Sequence, residues 1–265
     1  MKKTGIGILG CMVLLSLAGC GKMDDTSVQN FSDTKDVIVE SEIDLAENKE
    51  NNNEHSNKNE DSLYSSDISN YQIFTEANSE AALKNLYYNI DEFIDSDSSD
   101  AVVKGNIAEI EYVYIDGCAY SKLTVDVEEA YQGEVQETIT VYEDGGYTRL
   151  SDEKAQIEEH ADLSQYTEEE MNNLLIDHTF MGAEHSKVGD TVILFLKSNE
   201  GSILGDSYRI NCSVFGRYTL SNDNYIRTEF LVENDNPEGV STYSNMDTFE
   251  VSVSKSMLED KLSQQ

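Results

Sequence analysis

Positive charge is scarce in this sequence: 18 Lys and Arg stand against 52 Asp and Glu, a net charge of −34. Phosphate backbones and anionic headgroups are held by clustered Lys and Arg, so nucleic acid and anionic lipid are excluded as expected partners. Cations, basic peptides and basic proteins remain. Histidine is nearly as thin, with four residues. His160, His178 and His185 follow a long acidic N-terminal stretch that holds His55, and none forms a zinc motif of two His beside a Glu. His178 and His185 have a spacing that would share a helix face, but Gly182 between them weakens a continuous helix. A Gly-x-Ser-x-Gly elbow and a glycine-rich phosphate loop are both missing. With carboxylates this abundant, some pair will be close by chance, so proximity alone does not indicate a glycosidase. No catalytic residue, metal site or cofactor is assigned.

Tryptophan is absent and Pro237 is the single proline, whereas tyrosine is plentiful at 15. Tyrosines among alternating aliphatic residues favour strands over helices. Long apolar runs are also missing. The longest, Ile6 to Ala18, falls short of the roughly 20 residues a spanning helix needs. It follows Lys2-Lys3 and ends in Leu17-Ala18-Gly19-Cys20, the layout of a secretory signal. A Cys directly after Leu-Ala-Gly resembles the lipobox of bacterial lipoproteins. That resemblance implies acylation of Cys20, cleavage before it, and tethering on the outer face of the cell membrane. Two or more acyl chains hold a protein stably where one does not.

Cysteine is sparse once this is allowed for. Cys11 would leave with the signal and Cys20 would be lipidated, leaving Cys118 and Cys212. An extracellular location permits a disulfide between them, but spacing alone does not say whether they meet, and two thiols remain an equal reading.

Three segments are expected: a signal peptide at 1–19, a lipidated N-terminus and disordered acidic tether at 20–70, and a folded domain at 71–265. The tether holds 13 acidic and four basic residues from Gly21 to Asn70, too little apolar surface to offset the entropy of ordering. Next, Leu83, Leu86, Tyr87, Ile90, Phe93 and Ile94 fall at helical spacing, which predicts a helix over 80–94 with Ser79 as N-cap. The run Asp95-Ser96-Asp97-Ser98-Ser99-Asp100 has oxygen ligands for calcium. However, Asp100 stands where a calcium loop needs Gly, and Asn106 where it needs Glu, so it reads as a solvated turn.

Strands are expected from Ala101 onward. Gly105 marks a bulge, Asp116-Gly117 a hairpin turn, and Leu123, Val125 and Val127 alternate with polar residues. Ile139 and Val141 repeat the pattern before Asp144-Gly145-Gly146. Thr191 to Leu196 is a nearly continuous apolar strand, and Met257 to Leu262 a closing helix. With Ile193 and Phe195, those alternating residues are expected to point inward together. Residues 149–187 interrupt the strands with ten acidic and three basic residues. Thr167 and Glu170 form a capping box, with Met171, Leu174 and Leu175 as an apolar helix face behind it. An insertion of this length is either functional or a decoration packed on the side.

The motifs Asp100-Ala101-Val102-Val103-Lys104-Gly105, Val127 to Gly133, Ile139-Thr140-Val141-Tyr142, and Val188-Gly189-Asp190 followed by Leu194-Phe195-Leu196 occur in that order. Together they resemble the bacterial branch of netrin-like, tissue-inhibitor-of-metalloproteinase-like domains over about residues 100 to 232. The resemblance implies a mainly β fold with flanking helices: a small five-stranded OB-like barrel, here with a helical acidic insertion at 149–187. Two departures stand out. Gly145-Gly146 occupies the place of the family's Cys-Gly, and the family's inhibitors bind protease zinc through a free N-terminal Cys, whereas here Cys20 is lipidated and remote. The expected function is a membrane-anchored, non-enzymatic binding module. Its insertion and the rim at Gly145-Gly146 would contact a basic protein or cell-wall component. The alternatives are a solute-binding lipoprotein of an importer and a cell-surface hydrolase.

Overall fold

Strands form where aliphatic and polar residues alternate between turn signals, and here those stretches dominate. The computed structural model describes residues 62–79, 87–228 and 249–264. The signal peptide, Cys20 and most of the expected tether lie outside the described residues. In chain order the elements are β1 (Leu63–Tyr64), β2 (Gln72–Ser79), α1 (Ile90–Asp95), β3 (Ala101–Ile115), β4 (Cys118–Gln132), β5 (Thr138–Asp144) and β6 (Gly146–Arg149). The chain continues with α2 (Lys154–Ile157), α3 (Glu168–Asn172), β7 (Leu174–Phe180), β8 (Thr191–Ser198), β9 (Tyr208–Ile210), β10 (Arg217–Ser221), β11 (Asn224–Arg227), β12 (Ser252–Ser254) and α4 (Lys255–Leu262). The fold is mainly β with short helices, as the alternation predicts.

Five strands pair in a ring: β3 with β4, β4 with β5, β5 with β9, β9 with β8, and β8 back to β3. All these pairings are antiparallel except β5 with β9, which is parallel. The long hairpin of β3 and β4 turns at Asp116-Gly117, both at positive φ (51° and 81°), the geometry a two-residue hairpin requires. The ladder shifts register between Lys104 and Gly105. A Cβ at Gly105 would stand 2.5 Å from the Asp126 carbonyl oxygen. The expected bulge is therefore present and lets β3 bend, so that its first half pairs with β8 as well as β4.

One apolar cluster draws on all five ring strands, with Val103, Leu123, Val125, Val141, Leu194 and Ile210 among its members; Val127 packs against it half-buried. A second lies where β10 and β11 extend the sheet beyond β8. There Phe93 of α1 and Leu258 and Leu262 of α4 meet Ile193, Phe195 and Tyr218. Ile193 and Phe195 thus face away from Leu123 and Val125, contrary to the expectation that they share one interior. Strand β8 is covered on both sides, so its apolar run has no polar phase to reveal which residues face the ring.

A separate sheet has the order β2-β7-β6, with β2 parallel to β7. It corrects one expectation. Leu174 and Leu175 belong to a strand rather than the helix behind the capping box, because β7 finds partners on both edges. Only the four residues of α2 and five of α3 are helical in the insertion. Ser79, the expected N-cap, is the last residue of β2. Residues 80–86 of the expected helix lie outside the described residues. The helix beyond them is the shorter α1, capped by the Asn89 side chain, which accepts from the Glu92 amide at 2.9 Å. Leu63 and Tyr64, within the stretch assigned to the tether, pair with β3.

Candidate functional site

The two histidines of interest arrive on or near β7 and are committed to carboxylates. His178 Nε2 lies 2.6 Å from Glu153 Oε1 and 3.1 Å from Thr148 Oγ1, and Thr148 also donates to Glu153. A nucleophilic relay needs acid and hydroxyl on opposite ring nitrogens; here both meet the same one. His185 Nε2 lies 2.7 Å from Asp177 Oδ1, and its ring packs on Tyr147 with centroids 4.9 Å apart. Tyr147 meets Tyr112 edge to face at 5.0 Å. Of these contacts, the one between Tyr147 and Tyr112 joins the smaller sheet to β3. His178 and His185 do not share a helix face, since one is on β7 and the other in the loop after it.

A buried ion pair escaped the reading of the motifs. Arg217 of β10 donates to Glu143 of β5 and to Ser186, and Ser186 donates to Glu143 at 2.7 Å. The Arg217 and Glu143 side chains are 7% and 3% exposed, and Arg217 Nη2 also donates to the Glu184 carbonyl at 2.7 Å. Its signal was in plain sight. Glu143 continues the inward phase of Ile139 and Val141, so a carboxylate there demands a cation and hydrogen bonds. Beside it, Ser213 donates to Asp144. Burial first, and the Glu143 charge next, push the Asp144 carboxyl above its ordinary range. Arg227 is a second buried cation. It donates to the Phe215 and Tyr87 carbonyls and lies against the rings of Phe249 and Phe93.

The residues singled out in the sequence fare differently. At the Asp95–Asp100 run, Asp100 pairs with Lys197 at 3.1 Å and accepts from the Ser198 amide, while Ser98 and Ser99 accept from Asn211. Among the described residues no group of three His, Cys, Asp or Glu is placed to hold a metal. Cys118 opens β4 and Cys212 caps a 3-10 turn at Ser213–Gly216; neither is in a disulfide, and both are half-buried thiols. Burial pushes the Cys212 thiol up to about 11.

Gly145 and Gly146 form no open rim. Both are buried where the chain leaves the ring for the smaller sheet. A Cβ at Gly145 would stand 2.6 Å from the His178 carbonyl oxygen, and one at Gly146 2.8 Å from the Tyr112 ring. That part of the expected contact surface is packing. The part of the insertion around α2 and α3 is open to solvent over a buried base. Leu150, Leu163, Met171 and Ile176 make a small core of its own, and over it Glu158, Glu159, His160, Asp162, Glu168 and Glu169 are open to solvent. The capping box of Thr167 and Glu170 is present as expected. Hydrogen bonds from Ser164 hold the Asp162 carboxyl below its ordinary value, and the Thr167 amide and hydroxyl do the same for Glu170. This acidic lobe can present several ionised carboxylates to a cationic partner.

No protein-family model matches the chain, and no curated protein or solved structure matches it.

Proposed function

We propose that this protein is a lipid-anchored lipoprotein on the outer face of a bacterial cell membrane that acts as a non-enzymatic binding module. Acylated Cys20 would hold it there, and the acidic stretch after it would carry the domain away from the surface. The folded part is read as an OB-type barrel. In support, the ring runs first, second, third, fifth, fourth and back to first strand, with the one parallel pairing between third and fifth. The insertion falls between the third and fourth. The partner is a basic protein or a basic cell-wall component. The observation that carries this reading is the acidic lobe: an exposed set of carboxylates on its own apolar base, outside the ring's core. Exposed ion pairs contribute chiefly to encounter rate.

The test neutralises the lobe without removing its base. Glu158→Gln, Glu159→Gln, Asp162→Asn, Glu168→Gln and Glu169→Gln together should leave the melting temperature within a few degrees and slow capture of the partner from the same cells. If association in low salt is unchanged, the lobe is not the contact surface. Replacing all of 149–187 would be uninformative, because that range includes β7 and the buried Leu175.

A further inference from the structure

The loop between β8 and β9 holds the most exposed large apolar residue among the described residues. Ile203 is 73% exposed, and the loop around it is closely hydrogen-bonded. Its base is a buried polar clasp: the Asn199 side chain donates to Ser207 Oγ at 3.0 Å, the Asn199 amide to the Ser207 carbonyl at 2.9 Å, and Ser207 Oγ to the Leu204 carbonyl at 2.9 Å. Above the clasp the Ser202 amide donates to the Asn199 carbonyl, the Gly205 amide to the Ser202 carbonyl, and the Leu204 amide to Ser202 Oγ. Gly201 and Gly205, at φ 76° and 67°, carry the left-handed turns, and a Cβ on either would meet nothing within 4 Å. The chain is thus ordered before any contact, so docking need not bear the entropy of ordering it.

Single exposed aliphatic residues are ordinary, but Ile203 is the large apolar side chain most open to water among the described residues, and it is carried on a loop already fixed in shape. Glu200 and Asp206 flank the loop and are both exposed. From this we infer that Ile203 is the apolar anchor by which the loop docks into a pocket, rimmed by Lys or Arg, on a partner protein. The inference rests on the binding-module reading and specifies its partner's chemistry. Insertion into lipid is the less favoured occupant, since flanking carboxylates are repelled by an anionic membrane surface. Burying one such side chain should strengthen affinity roughly ten- to a hundredfold.

The test places a benzophenone amino acid at position 203 of the full chain in its native cells, with parallel probes at Glu159 of the lobe and at Asn222 in the turn before β11. Irradiation from position 203 should give a discrete protein adduct whose crosslinked peptide contains Lys or Arg, and the turn probe should give none. Excess purified unlabelled protein should compete the adduct away, and Ile203→Ser protein should compete roughly tenfold less well while melting at the same temperature. Glu200→Gln with Asp206→Asn should weaken the adduct at low salt only. Lipid adducts, or equal yields from positions 203 and 222, would overturn the inference, as would full competition by Ile203→Ser. A surviving Glu159 adduct beside any of those results would leave the binding-module reading intact, and loss of both adducts would end both.

Discussion

At the scale of single residues, the strongest constraints are charges in places meant for apolar groups. Arg217 and Glu143 are buried together, so truncating one leaves the other charge uncompensated. Arg217→Met alone should cost about 3–5 kcal/mol, whereas Glu143→Leu with Arg217→Met should recover most of that loss; urea unfolding of the three variants checks it. Asp144 gives a pH signature. Its carboxyl is raised above its ordinary value in the folded protein, so the folded state holds that proton more tightly than the unfolded one. Its contribution to stability is therefore present at acid pH and lost as pH rises from the ordinary Asp range through the raised folded value. Glu111 has the opposite sign. Although burial works against it, hydrogen bonds from Lys122 and Ser62 hold its carboxyl low, so its contribution is lost as pH falls. Asp144→Asn should remove only the first slope, and the difference between the two pH–stability curves isolates it. Val125, at 0% exposure, and Thr124, half-exposed beside it, form a matched pair. Val125→Asp should unfold the domain and Thr124→Asp should be tolerated, because an unpaired carboxylate is costly only where water is excluded. Equal melting temperatures would mean the strand phase is wrong.

Among the elements, β7 separates two roles that look like one insertion in the chain. Leu175 reaches the ring cluster and is 0% exposed, while Leu163 and Met171 belong to the lobe's own base. Leu175→Ala should cost about 2–5 kcal/mol and lower global stability. Leu163→Ala should instead loosen α2 and α3 locally. Hydrogen exchange would then rise in 154–172 while protection in β3, β4 and β8 stays unchanged; a uniform rise across the ring would show that the lobe and ring unfold as one unit.

For the whole molecule, the charge of −34 governs how partners approach. Association driven by the lobe should slow steeply as salt rises and its dissociation should change less, because screening acts on the encounter of exposed charges. Stopped-flow or surface-bound kinetics at several ionic strengths would read this directly. The anchor is tested at the same scale: Cys20→Ala should move the protein out of the membrane fraction or leave it uncleaved, and unchanged fractionation would dismiss the lipoprotein reading. Thiol labelling adds a third whole-chain observation. The unfolded, unreduced chain without its signal should yield two reactive thiols besides any lipidated Cys20, and in the folded protein Cys212 should react slowly near neutral pH because so little of it is thiolate.

Local chemistry alone determined several features of this protein. Asp116-Gly117 had to turn because two residues at positive φ suit that pair. Thr167 and Glu170 had to start a helix because their side chains reach each other's backbone. Leu123 had to share a face with Val125, and Ile139 with Val141, because a strand repeats every two residues. Only the tertiary structure decided which surfaces those faces met. Ile193 and Phe195 joined a second core because a strand apolar on both sides carries no mark of its phase. Leu174 and Leu175 became a strand because β2, about a hundred positions earlier in the chain, offers backbone partners that no local window contains. The same reason applies to Glu143 and His178: each signals the need for a partner, but Arg217 and Glu153 could be chosen only once the chain had closed and excluded water around them.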